Sequence, residues 1–153
     1  MIVTLDTNIL VYTVDDRAPD RQAAAQEMIS ALRSIGGPLA LQVCGEFYRA
    51  STRRLLRAPW EAAQISRNLM IAFPVFPTTM RSMERALAEA ATARFSFWDA
   101  NLLCAAEAAG CTHIISEDMS DGLKLGNLEV VHPFAGDKLS ARALALLYGG
   151  TDA

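Results

Sequence analysis

The hydrophobic and polar positions of the chain form short apolar runs and longer segments in which apolar residues recur every three or four positions. The short runs predict β-strands, and the longer segments predict helices. The predicted strands lie at Ile2–Leu5, Leu39–Leu41, Val75–Phe76, His113–Ile115 and Leu128–Val131. The predicted helices begin after a polar turn at residues 6–8 and continue at residues 19–35, 46–55, 60–72, 83–93, 96–109 and 139–147.

The order of these segments, in which strands alternate with helices, is typical of an α/β fold. Parallel strands are joined by helices that cover the faces of the sheet, so the order predicts three layers, with a short, mostly parallel central sheet flanked by helices. A length of 153 residues suits one hydrophobic core, and neither a repeat nor an interior linker is present. We therefore expect a single domain over residues 1–148 and a loose C-terminal tail over residues 149–153.

Composition and charge restrict the partners and the compartment. The chain has 14 Lys and Arg against 17 Asp and Glu, a net charge of −3, so a polyanion must be met by a local basic surface. The longest stretch without charge, residues 68–80, is shorter than the roughly 20 apolar residues of a membrane-spanning helix. Cys44, Cys104 and Cys111 lack the spacing of a zinc site or a redox dithiol, which favours buried free thiols. With no export signal at the N-terminus, we expect a cytoplasmic protein that does not enter a membrane.

Acidic residues lie at or near the ends of the predicted strands. Asp6 follows the first strand, Asp118 follows the fourth, and Glu46 lies one helical turn beyond the second. Asp99 is in the first turn of a predicted helix, three residues after Ser96. Ligands of open α/β sheets bind at the carboxyl ends of the strands, so these acids are candidate site residues. Each acid taken alone also has a structural alternative, as a helix cap, in an Asx turn or on a solvated surface.

Carboxylates that converge on one edge of a sheet repel one another unless a cation lies between them. Oxygen ligands of this kind suit Mg²⁺ or Mn²⁺, which bind through carboxylates, water and substrate phosphate. Zinc fits poorly, because His113 and His132 have no second ligand at metal spacing and are expected in packing or surface roles. The charges therefore favour metal-dependent chemistry on an anionic phosphodiester.

Four short segments, taken in order, resemble the PIN-domain ribonucleases. They are Leu5-Asp6-Thr7-Asn8-Ile9-Leu10, Gln42-Val43-Cys44-Gly45-Glu46-Phe47, Phe97-Trp98-Asp99-Ala100 and Ser116-Glu117-Asp118. The branch they resemble most is the VapC-type toxins of prokaryotic toxin–antitoxin systems. The resemblance extends from the first residue to about Phe134, and the ordered set is more specific than any one segment. It implies a PIN-like version of the three-layer fold.

The resemblance also implies roles for individual residues. The catalytic acids would be Asp6, Glu46, Asp99 and Asp118. Three of these, Asp6, Asp99 and Asp118, would hold Mg²⁺ or Mn²⁺. Asn8 and Ser116 would lie beside the metal ligands and support them. Glu117 is adjacent to the last acid and could share its role.

The function implied is that of a metal-dependent endoribonuclease, which hydrolyses RNA phosphodiester bonds with an activated water. The chain would be the toxin of a type II toxin–antitoxin system, so its partners would be an RNA substrate, a cognate antitoxin protein and a second copy of itself in a homodimer. Two alternatives remain open. One is a PIN-type RNA-processing nuclease without an antitoxin, and the other is a non-catalytic module that binds RNA or protein.

A local basic surface is predicted near the acids. Arg49, Arg53 and Arg57 are spaced by four residues, so they would form one stripe along the helix that begins near Glu46 and are candidate RNA contacts. The alternative is an ordinary solvated helix face. Both tryptophans, Trp60 and Trp98, could stack on bases, but we expect both to be buried.

Overall fold

The computed structural model describes residues 1–149, which form seven helices and eight strands. The strands are β1 Val3–Leu5, β2 Leu39–Ala40, β3 Val75–Phe76, β4 His113–Ile115, β5 Lys124–Leu125, β6 Leu128–Val131, β7 Phe134–Ala135 and β8 Lys138–Leu139. The helices are α1 Thr7–Tyr12, α2 Pro19–Ser34, α3 Leu41–Arg53, α4 Pro59–Ala72, α5 Met80–Ala91, α6 Phe97–Ala108 and α7 Ala141–Tyr148. Gly149 caps α7, and the rest of the predicted tail lies outside the described residues.

The main sheet has the strand order β1-β4-β6-β5. Strand β4 pairs in parallel with both β1 and β6, and only the edge strand β5 is antiparallel to its neighbour. Leu5, Ile115 and Val131 are aligned across the three parallel strands, so the residues that follow them lie along one edge of the sheet. The prediction of a mostly parallel central sheet flanked by helices is confirmed.

Two smaller strand pairs complete the architecture. Strands β2 and β3 are parallel, and the Thr4 hydroxyl of β1 donates to the Pro38 carbonyl, 2.8 Å away, just before β2. Strands β7 and β8 form an antiparallel pair after the main sheet. Because β2 leads directly into α3, the first turns of that helix begin beside β1.

A continuous cluster of buried apolar side chains joins the sheet to the helices, and it includes residues from Val3 to Leu147. Helix α6 contributes most completely, since every residue from Ala100 to Ala106 is buried. The three cysteines are buried free thiols, as predicted. Within residues 1–149, none of the helices is long and apolar enough to cross a membrane. The single domain over residues 1–148 stays a prediction.

Two expectations are wrong, one about the arginine stripe on α3 and one about the burial of the tryptophans. Helix α3 ends at Arg53, and Leu56 has a positive φ of 55°, so the chain turns away before Pro59 and Arg57 does not continue the helical stripe. Trp60 and Trp98 are 74% and 62% exposed. Each lies in the first turn of its helix, at the surface rather than over the core.

Candidate active site

The four predicted acids line one cavity of about 310 Å³ at the carboxyl edge of the main sheet. We call it the acidic cavity, and its lining includes Asp6, Glu46, Asp99 and Asp118 together with Asn8, Arg49, Arg53 and Arg54. The acids come from four separate segments, namely the turn after β1, helix α3, helix α6 and the segment after β4. The sheet register therefore brings together residues that lie far apart in the sequence.

Asp6 is the most buried of the four acids, with 6% of its surface exposed. Its backbone N–H donates to the Ile115 carbonyl at 2.9 Å, which extends the pairing of β1 with β4 by one step. One carboxylate oxygen accepts from the Thr7 backbone N–H at 2.6 Å, and the other accepts from the Ser116 hydroxyl at 2.7 Å. Asp6 is thus also the cap of α1, so the capping role and the site role coincide in one residue.

Glu46 is held by two neutral donors. The Thr7 hydroxyl donates to Oε2 at 2.8 Å, and the Gln42 side-chain amide donates to Oε1 at 2.5 Å. Gln42 is one helical turn before Glu46 on α3, and the same amide donates to the Trp98 carbonyl at 3.0 Å. Among the described residues 1–149, the position of Glu46 is therefore fixed by hydrogen bonds rather than by an ion pair.

The other two acids are oriented through their backbones. The Ser116 hydroxyl accepts from the Asp118 N–H at 3.2 Å while it donates to Asp6, so one serine links two of the acids. Ser96 caps α6 and accepts from the Asp99 N–H at 3.2 Å. Within residues 1–149, the carboxylates of Asp99 and Asp118 have no ion-pair or hydrogen-bond partner, so both are available to a ligand.

Burial makes the ionised form of Asp6 unfavourable in the acidic cavity. Burial, opposed by the hydrogen bonds from Ser116 and Thr7 and reinforced by the charges of Asp118 and Glu46, raises the pKa of Asp6 from 3.8 to about 6. Burial penalises the ionised form because the carboxylate loses its hydration, and the neighbouring carboxylates add repulsion. A cation in the cavity would stabilise the ionised carboxylate and so oppose both effects.

Asn8 also lines the acidic cavity, and both polar atoms of its amide are buried with no hydrogen-bond partner in the part of the chain that the structure describes. A buried amide without partners costs free energy, so a ligand or water that bonds to it would be stabilised. The donor set of the cavity consists of carboxylate and amide oxygens, and this chemistry fits Mg²⁺ or Mn²⁺.

The described acids are not arranged as a set of direct metal ligands. Among residues 1–149, no group of three or more His, Cys, Asp or Glu side chains is arranged to hold a metal ion as it stands. Mg²⁺ typically uses one or two carboxylates and completes its octahedron with water and phosphate, so a shared cavity is compatible with binding. The assignment of Asp6, Asp99 and Asp118 as metal ligands stays a prediction.

Arginines form one wall of the acidic cavity. Arg49, Arg53 and Arg54 line it, and none of the three has an ion-pair partner within residues 1–149. Arg57 is elsewhere, because its guanidinium donates to Glu61 at 2.9 Å and to the Val14 carbonyl at 3.0 Å. The contacts of Arg57 are therefore structural. The third arginine that lines the acidic cavity is Arg54, where the helical spacing had predicted Arg57.

Glu117 does not join the acids. Its carboxylate accepts from the Tyr12 hydroxyl at 3.1 Å and from Arg21 at 3.3 Å, and it does not line the acidic cavity. Two residues that the sequence did not single out do contribute to the site, since Thr7 and Gln42 hold Glu46. Both lie within the segments that resemble the PIN-domain ribonucleases, one next to Asp6 and the other one helical turn before Glu46, and these positions are their sequence signal.

Solved structures share this fold at low sequence identity. A chain of a toxin–antitoxin complex from Klebsiella pneumoniae is 19% identical with a TM-score of 0.62, and the match covers 86% of this chain and 98% of that chain. VapC20 from Mycobacterium tuberculosis, a toxin that cleaves the sarcin–ricin loop, is 18% identical with a TM-score of 0.59, over 73% of this chain and 86% of that chain. The chain has the PIN fold of the VapC toxins.

A third PIN-fold match is a chain of DNA-bound VapBC from Salmonella typhimurium, which is 13% identical with a TM-score of 0.63 over 86% of this chain and 98% of that chain. No protein-family model and no curated protein sequence matches the chain. The PIN fold expected from the four segments is confirmed, and the roles of the individual residues stay predictions.

Proposed function

We propose that this protein is a Mg²⁺- or Mn²⁺-dependent endoribonuclease and the toxin of a type II toxin–antitoxin system, acting in the cytoplasm as a single-domain protein. The observation that carries the proposal is the convergence of Asp6, Glu46, Asp99 and Asp118 on one cavity of a PIN fold. A similar fold belongs to a toxin that cleaves the sarcin–ricin loop, which supports RNA as the substrate.

In this proposal the four acids have different roles, which follow from their hydrogen bonds. Asp6, Asp99 and Asp118 would hold the ion, which when bound supplies Lewis acidity and positive charge beside the phosphate. Glu46, fixed by Thr7 and Gln42, accepts a hydrogen bond from the attacking water and orients it toward phosphorus. Ser116 keeps Asp6 directed into the cavity.

The arginine wall binds the anionic substrate. Arg49, Arg53 and Arg54 can contact phosphates of the strand while the carboxylates face the scissile bond. The net charge of −3 makes this local wall the source of electrostatic attraction to RNA.

The proposed partner is an antitoxin protein, and the proposed assembly includes a homodimer of the toxin. Three of the similar solved structures are toxin–antitoxin or VapBC complexes, which supports this assignment. An acidic cavity can accept a basic side chain of an inhibitor in place of a cation.

The test is cleavage of a labelled single-stranded RNA by the purified protein. We expect Mn²⁺ to support cleavage, EDTA to abolish it, and Asp6→Asn or Asp99→Asn to lower the rate by about 100-fold or more. Asp137→Asn is a matched control, because it removes the same charge at an exposed residue in the turn between β7 and β8 that does not line the acidic cavity. Cleavage that persists in both cavity variants would refute the mechanism.

The toxin assignment needs a separate experiment in cells. Expression of the chain alone should arrest growth, and co-expression of a small adjacent gene product should restore it. Asp6→Asn should remove the arrest. A chain that cleaves RNA in vitro but is harmless in the cell, with no small partner that co-purifies, would favour the RNA-processing nuclease.

A further inference from the structure

A second cavity, of about 760 Å³, adjoins the acidic cavity, because Glu46 and Arg49 line both. We call it the Trp98 groove. Its other walls include Leu41, Met83, Trp98 and Asn101. Asp99 and Asp118 of the acidic cavity also line a third cavity of about 490 Å³. The acidic cavity thus shares lining residues with two neighbouring cavities, which offers a bound strand space beyond the acids.

The Trp98 groove presents an aromatic surface beside the acids. Trp98 is 62% exposed, and its indole is in edge contact with Phe97, with ring centroids 5.0 Å apart at 67°. Leu41 is also exposed on this wall. Exposed aromatic rings next to a charged groove are the feature with which proteins stack the bases of single-stranded nucleic acids.

Asn101 provides an independent sign of a ligand in this groove. It is only 4% exposed, and its amide nitrogen donates to Gln42 at 2.6 Å and to Thr78 at 3.0 Å. Glu46 sets the direction of these hydrogen bonds, because its carboxylate can only accept. Gln42 therefore presents its amide N–H to Glu46 and its carbonyl oxygen to Asn101. The carbonyl oxygen of Asn101 is left buried without a partner within the described residues.

We propose that the Trp98 groove binds one unpaired base of the RNA strand, next to the phosphodiester that lies in the acidic cavity. The inference rests on the proposed function and adds a base subsite to it. The base stacks on Trp98, and Arg49, which has no ion-pair partner within residues 1–149, meets the phosphate between the two cavities. The amino group of adenine, cytosine or guanine is a donor for the unpaired oxygen of Asn101.

A nucleobase satisfies this groove better than an apolar segment of a partner protein. A leucine or phenylalanine side chain could cover Trp98, but it would leave the Asn101 oxygen without a donor. It would also leave Arg49 without a counter-charge. A base and its phosphate supply the aromatic face, the donor and the negative charge together.

The experiment measures binding of a labelled single-stranded RNA decamer by fluorescence anisotropy, in EDTA and in the Asp6→Asn background so that the RNA stays intact. Trp98→Ala should weaken binding roughly 5- to 150-fold, the range expected for loss of one stacked base. Trp98→Phe keeps an aromatic face and should retain most of the affinity. Trp60→Ala is the matched control, because Trp60 is also largely exposed, lies on α4 and lines none of the three cavities.

A second series removes the base instead of the side chain. A set of decamers carries a single abasic site at successive positions. At one position, loss of the base should weaken binding to the parent protein but should not weaken binding to Trp98→Ala any further. Thermal melting of each variant should match that of its parent, since both tryptophans lie at the surface.

Equal affinity of Trp98→Ala and Trp60→Ala for RNA would overturn the base subsite. So would a Trp98→Ala variant that binds RNA normally but loses its affinity for the antitoxin, because the groove would then be a protein-docking site. These failures leave Asp6-dependent cleavage untouched. Conversely, failure of the parent protein to cleave RNA would refute the nuclease assignment without changing the binding comparison.

Discussion

Replacing Asp6 by Asn should change the pH dependence of stability in the metal-free protein. The folded protein binds a proton at Asp6 up to a pKa of about 6, whereas the unfolded chain releases it near 3.8. Between these values the folded state holds more protons than the unfolded state, so the free energy of unfolding of the wild type falls as pH rises from about 4 to about 6. Above that range the loss is complete.

The magnitude follows from the difference of about two pKa units. Each unit corresponds to about 1.4 kcal/mol, so ionisation of Asp6 costs the folded protein about 3 kcal/mol at neutral pH. Asn has nearly the same shape and no charge, and it can still accept from the Thr7 N–H. The variant should therefore gain about 3 kcal/mol relative to the wild type between pH 4 and pH 7, whatever constant offset the altered contact with Ser116 adds.

The assay is urea unfolding in EDTA at several pH values from 4 to 7.5, with the free energy extrapolated for each protein. Asp137→Asn controls for loss of a surface carboxylate. Addition of Mn²⁺ should raise the stability of the wild type at pH 7, by about 2.7 kcal/mol at one hundred times the dissociation constant, and should do little for Asp6→Asn. A difference between variant and wild type that stays constant with pH, or that shrinks as pH rises, would refute the reasoning.

Further predictions distinguish residues inside the acidic cavity from their neighbours. Arg53→Gln should reduce the slope of log RNA affinity against log salt concentration by about one, whereas Arg57→Gln should leave that slope unchanged. Arg57→Gln should instead lower the free energy of unfolding by about 1–2 kcal/mol, because it removes contacts with Glu61 and a backbone carbonyl. In calorimetric titrations with Mn²⁺, Asp118→Asn should weaken binding about tenfold or more, and Glu117→Gln should leave it unchanged. An equal loss of Mn²⁺ affinity in both variants would mean that Glu117 also binds the metal.

Local patterns were sufficient to predict most of the fold. The longer apolar segments and the capping serine Ser96 correspond to helices because these signals act within a few residues of one another. The two-residue strands β5, β7 and β8 were not predicted. Strand β3 is as short, but Val75–Phe76 is an apolar pair between two prolines, whereas β5 and β8 each begin with a lysine. Their existence depends on pairing with neighbours.

The acids could be predicted because a parallel sheet aligns the ends of its strands, whatever the intervening sequence. The hydrogen bonds that hold them could not, since Thr7 and Glu46 are 39 residues apart and Gln42 and Asn101 are 59 residues apart. The exposure of Trp98 was mispredicted for a related reason. The middle of helix α6, residues 102–106, is apolar on all sides, so the pattern around Trp98 suggests burial, and only the tertiary structure shows that the first turn of the helix emerges at the surface.

The pairing of β1 with β4 has a consequence for synthesis of the chain on the ribosome. Asp6 is made before its partner Ser116, which follows 110 positions later. At about 5–20 residues per second, roughly 5–20 s separate the two, and throughout that interval the growing polypeptide contains no complete site. The nuclease proposed above would therefore be unable to cleave the messenger that encodes it, or the ribosomal RNA around it, until the strand that carries Ile115 has been translated and has docked beside β1.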